Sequence, residues 1–180
     1  MSKQSKGSAF ERSLCRQLSH WWSDGQANDW FWRSAGSGAM ATVRSRAGWG
    51  QNDAGDIRAL DPSGQGLVDL FCIEAKRGYP GAYLIDLMLA ENSAMHKLVQ
   101  NAKAGWKSSK SHQWMLIHKK NFIEPLVYLD SDFVFEHLPM ILPMATIIGK
   151  VGIASIELRH FLALCDRDDL ESILDDLKRK

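Results

Sequence analysis

Cysteine is scarce in this chain, long apolar runs are missing, and histidine never pairs at metal-ligand spacing. The three cysteines among 180 residues (Cys15, Cys72, Cys165) are odd in number and lack metal-type spacing, so no structural zinc is expected and a reducing cytoplasm is. No apolar stretch approaches the roughly 20 residues that crossing a bilayer requires, so no membrane association is expected. The opening "MSKQSKGS" carries two lysines with no apolar segment behind them, and no secretory signal is read there. "GSGAMATVRS" is rich in glycine but lacks Gly-Lys-Ser/Thr, which excludes a phosphate-binding P-loop.

What remains is enough for a packed core. With 45% hydrophobic residues, a single domain over 1–180 is expected, with a core at about 7–130 and an acidic, largely helical extension at about 131–180. Charge is unevenly placed. Residues 1–120 hold 16 Lys/Arg against 10 Asp/Glu, and residues 121–180 hold 6 against 11. A polyanion is therefore expected to meet the first two-thirds of the chain.

"GSAFERSLCRQLSHWW" reads as an amphipathic helix, with Phe10, Leu14, Leu18 and Trp21 at steps of four and three and Ser8 as its N-cap. "DWFWRSAGSG" reads as a short strand entering a turn, and residues 39–55 as a long loop. "GDIRAL" and "LVDLFCIEAK" read as strands separated by the turn "DPSGQG". A helix follows over "AMHKLVQNAKAGW", then strands at "QWMLIHK" and "PLVYLD", and a closing helix at "DRDDLESILDDLKRK". The order implies an α/β fold around one small mixed sheet.

Within "DLFCIEAKRG", an apolar strand ends on two charges. Glu74 and Lys76, two apart, project from the same side. Asp56 heads the preceding strand, and strands adjacent in sequence are commonly neighbours in space. A carboxylate from each strand could converge on magnesium, which takes oxygen ligands from one or two carboxylates plus waters and phosphates. Lys76 could then hold an attacking water or the negative phosphate. These are the parts of metal-assisted phosphodiester hydrolysis.

Asp56 followed by Glu74-Ala75-Lys76 resembles the PD-(D/E)XK nuclease superfamily, most closely the archaeal-type Holliday junction resolvases. The matching stretches are "FERSLCRQL", "WRSAGSG", "GDIRA" and "CIEAK", and the likeness covers roughly residues 7–130. The resemblance implies a restriction-endonuclease-like core and a magnesium-dependent DNA endonuclease, with manganese able to substitute. It implies metal-site carboxylates at Glu11, Asp56 and Glu74, a further ligand in the Ala75 carbonyl, and Lys76 as catalytic lysine. Branched DNA and a homodimer would follow, since two symmetric cuts need two sites.

Gly55 stands where the superfamily's name has proline, and the loop at 39–54 and the acidic extension have no counterpart in a minimal resolvase. Arg33, Arg44 and Arg46 flank the Gly/Ser turn, where Ser34 and Ser37 could donate to phosphate oxygens. Gln100 and Lys103 lie on the polar side of the following helix, and Trp49 in the loop could stack on a base. Two readings stay open beside these. "SAFE" also fits a capping box in which Glu11 bonds the Ser8 backbone. The whole could also be a non-catalytic DNA-binding or assembly module that keeps the fold. The apolar positions of residues 155–177 are expected to pack on the chain's own core, on a second copy or on another protein.

Overall fold

The computed structural model of the protein describes residues 3–34 and 54–180. Helix α1 (Lys3–Trp22) buries Phe10, Leu14, Cys15, Leu18 and Trp22 along one stripe. Trp22 rather than Trp21 completes that stripe. Trp21 is half-buried and donates its indole N–H to the Cys165 carbonyl at 3.2 Å. The helix begins well before Ser8, so Ser8 caps nothing and the Ser8/Glu11 capping box does not form. Ser19 ties the next element to α1, accepting from the Phe31 N–H at 3.0 Å.

Strands β1 (Phe31–Arg33) and β2 (Ile57–Ala59) form an antiparallel ribbon. The strand expected from Leu67 begins only at Phe71. Asp61 instead caps a 3-10 turn (Pro62–Gly64) that runs into a short helix, α2 (Gln65–Leu70), burying Leu67 and Leu70. Strand β3 (Phe71–Arg77) follows without a linker.

The main sheet has the order β3-β4-β5-β7-β6. Its strands are β3, β4 (Gln113–Lys119), β5 (Leu126–Asp130), β6 (Thr146–Ile148) and β7 (Ile153–Glu157). β3 and β4 are parallel and the remaining pairs antiparallel, so the sheet is mixed, as expected. The parallel pair is joined across one face by helices α3 (Asp86–Leu89) and α4 (Ala94–Lys107), as a parallel connection requires. Ser93 caps α4, which buries Met95, Leu98, Val99 and Ala102 against Trp114, Leu116 and Tyr128. The opposite face packs Phe71, Ile73, Met115 and Ile117 against α1. Each fully buried side chain of this size contributes about 1.5–3 kcal/mol.

Residues beyond 130 are largely helical, as expected, but they also complete the main sheet. They supply α5 (Ser131–His137), two strands of the sheet, α6 (Leu158–Leu164) and α7 (Arg167–Arg179). Leu158, Phe161, Leu170 and Leu174 lie in the same core as α1, with Leu162, Ile173 and Leu177 packed against it. The Arg167 guanidinium sits 5.8 Å from the ring centroids of both Trp22 and Trp30, pinning α7 to α1. The apolar side of this segment is thus spent on the chain's own core.

Candidate active site

β3 separates core from chemistry by alternation. Phe71, Ile73 and Ala75 point into the α1-side core, while Glu74 and Lys76 project from the other face with side chains 20% and 21% exposed. β3 is also an edge of the main sheet, and its outer edge is met by the stretch leading into β2. The Asp56 N–H donates to the Ile73 carbonyl at 2.7 Å, and the Ala75 N–H donates to Asp56 Oδ2 at 2.9 Å. A strand residue's N–H and C=O project toward the same edge, so the Ala75 carbonyl faces the Asp56 side too.

This approach requires glycine at 55. Its φ is +84°, and a Cβ there would lie 2.8 Å from the Ile73 carbonyl oxygen. Proline, fixed near φ −65°, cannot take that conformation, which explains the departure from the superfamily's proline. Ser34 completes the seat. Its N–H donates to the Asp56 carbonyl at 2.9 Å and its hydroxyl to the Gly55 carbonyl at 2.5 Å. Ser34 is buried, and both bonds help to position Asp56.

The Lys76 ammonium bridges the two carboxylates, 2.8 Å from Asp56 Oδ2 and 2.5 Å from Glu74 Oε1. Burial alone would depress its pKa, but Asp56 and Glu74 outweigh it and hold the ammonium above its ordinary range. The Glu74 carboxyl is pushed up by burial and then by Asp56, with Lys76 opposing and Glu11 adding to the rise. Glu11 faces the same cleft from α1 and is ion-paired with Arg33.

Glu11, Asp56, Glu74 and Lys76 line one open cleft of about 820 Å³. The Asp56 and Glu74 carboxylates and the Ala75 carbonyl are hard oxygen donors, the kind magnesium takes. The Lys76 ammonium between the carboxylates marks where a positive charge is favoured. Among the described residues no three His, Cys, Asp or Glu side chains are grouped so as to hold a metal ion, so Glu11, Asp56 and Glu74 line one cleft without forming a three-carboxylate cluster. An ion held here would rest on Asp56, Glu74 and main-chain, water and substrate oxygens.

The remaining expected site residues separate. Gln100 is exposed on α4 and Lys103 lies with its Nζ 5.0 Å from the Trp114 ring centroid; neither lines the cleft. Ser37, Arg44, Arg46 and Trp49 fall outside the described residues. Lys6, Arg77, Tyr79 and Asn121 line the cleft and were not singled out from sequence. The adjacency of Arg77 and Tyr79 to the Glu-x-Lys strand was a signal available for them. Lys6 and Asn121 had none, because α1 and the β4–β5 turn reach the cleft only through the fold.

A mixed sheet flanked by helices, with an Asp and a Glu-x-Lys strand end facing an open cleft, defines a PD-(D/E)XK nuclease. Residues 2–161 match the model of the family described as "Phage putative PDDEXK endonuclease", and the chain belongs to that family. No curated protein and no solved structure matches the chain significantly.

Proposed function

We propose that the protein is a magnesium-dependent DNA endonuclease in which manganese can replace magnesium. The observation that carries this reading is the meeting of Asp56, Glu74 and Lys76 at one point of an open cleft. Asp56, Glu74 and the Ala75 carbonyl would hold the ion, which supplies polarisation of the phosphodiester and a more acidic bound water. Lys76, charged and paired with both carboxylates, would turn to a phosphate oxygen or orient the attacking water. Arg33 would exchange Glu11 for a backbone phosphate on binding, which would free Glu11 to face the ion. Lys6 and Arg77 add positive charge along the cleft for the same backbone.

A binding module that merely keeps the fold would have no use for a lysine held between two carboxylates, so the enzyme reading is favoured. A junction cut twice by a homodimer is the finer, resolvase-like form of this proposal, supported by the likeness of the motifs. The test is incubation of the purified protein with matched branched, flapped, single-stranded and linear DNA, with magnesium, with manganese and with EDTA. Metal-dependent cleavage that disappears in Asp56→Ala and Glu74→Ala is expected. Undiminished cleavage by either variant, or equal cleavage in EDTA, would overturn the assignment.

A further inference from the structure

Two loops meet at the mouth of the cleft and leave aromatic rings in solvent. The loop after β3 carries Tyr79, 45% exposed, and Tyr83, 52% exposed; the β4–β5 turn carries Phe122, fully exposed. The loops are joined, since the Gly78 N–H donates to the Lys119 carbonyl at 3.0 Å and the Lys120 ammonium lies 3.0 Å from the Tyr83 ring centroid. Tyr79 and Asn121, one from each loop, line the cleft itself.

These rings are held, not loose. Tyr79 stands at φ +54°, an uncommon conformation for a residue with a Cβ, between Gly78 at +96° and Gly81 at +80°. The buried His118 ring meets it edge-on at 6.5 Å and bonds the Gly78 carbonyl through Nε2 at 3.3 Å. The Tyr83 N–H donates to Asp86 Oδ2 at 3.1 Å, while Lys120 covers one side of its ring. The Lys120 ammonium has no hydrogen-bond partner among the described residues, so its charge is committed to that ring.

Exposed, fixed aromatics beside lysines at a phosphodiester site have a specific use. Base faces within a duplex are already stacked on one another, and only unpaired bases offer a free face to a protein ring. We infer that Tyr79 and Tyr83 form a stacking platform for unpaired bases at the mouth of the cleft, so that the strand to be cut enters as single-stranded nucleic acid. Lys119, at the same rim, provides charge complementary to its backbone. The inference deepens the nuclease reading and rests on it for the direction of the strand toward Lys76.

The test is fluorescence anisotropy in EDTA with a labelled oligodeoxythymidylate and with a mixed-sequence duplex of equal length, run beside the cleavage assay. Tyr79→Ala and Tyr83→Ala should each bind the single strand roughly 10-fold or more weakly and leave duplex affinity unchanged. Tyr79→Phe, which keeps the ring, should bind like the unchanged protein and controls for misfolding. The inference is overturned if both alanine variants bind the single strand as before, if they lose duplex and single strand equally, or if the unchanged protein prefers the duplex. Failure to cleave any DNA with either metal would remove the nuclease reading instead, and the binding measurements would still decide the platform.

Discussion

At Gly55 the backbone is held at φ +84° with no room for a Cβ beside the Ile73 carbonyl. Gly55→Ala must either accept that strain or withdraw Asp56 from β3. A loss of roughly 2 kcal/mol in stability is expected, read by thermal unfolding, together with loss of cleavage. Glu74 behaves oppositely. Its carboxyl titrates above the ordinary value of 4.5, so the charged form is less favourable in the fold than in the unfolded chain. The stability tied to this group is therefore complete below pH 4.5 and declines as pH rises through the raised value. Glu74→Gln should melt at or above the unchanged protein at neutral pH in EDTA, and that advantage should vanish in acid. Added magnesium should raise the melting temperature of the unchanged protein but not of Glu74→Gln. A variant less stable at neutral pH, or equally stabilised by magnesium, would count against the carboxylate pair as an ion site.

Among the elements, the helical stripes and the central strands are legible in the sequence. Met95, Leu98, Val99 and Ala102 keep the helical period and are buried in α4, and the run ending in Glu74 and Lys76 is β3. The misreadings came from short apolar runs, whose period fits either state. Leu67 and Leu70 sit one helical turn apart, yet "LV" adjoins "FCI" and looks like the start of one strand. Ile153, Ile156 and Leu158 suit a helix as well as a strand, and only pairing with β5 and β6 decides for β7. Of the site, Asp56, Glu74 and Lys76 were readable because their chemistry is local to two short motifs. The seat built by Gly55 and Ser34 was not, because it depends on a close approach between backbones. The same elements make the end of the chain structural. Leu170, fully buried against the α1-side core, should cost about 2–5 kcal/mol on replacement by alanine. Deleting residues 165–180 should give insoluble or unfolded protein by size-exclusion chromatography and circular dichroism. A stable truncation would show that α7 is dispensable to the fold.

For the whole molecule, charge and burial divide the work. Lys6, Lys76 and Arg77 line the cleft, whereas Asp168, Asp169, Asp175 and Asp176 are exposed on α7, so the acidic end faces solvent without crowding a polyanion in the site. Among the described residues no helix is long and apolar enough to cross a membrane. The three cysteines are buried and unpaired; burial pushes Cys15 and Cys165 up to about 12 and Cys72 to about 11. At neutral pH they should resist iodoacetamide in the folded protein and react together on unfolding. Rapid labelling of Cys72 alone would mean that β3 opens independently. The most direct measurement is a cleavage time course on single-stranded and duplex DNA, with and without magnesium, for the unchanged protein and for Lys76→Ala at matched folded fraction. Magnesium-dependent cleavage by the unchanged protein, absent in Lys76→Ala, is the predicted result. Cleavage by Lys76→Ala at the unchanged rate, or no cleavage by the unchanged protein with magnesium, would contradict it.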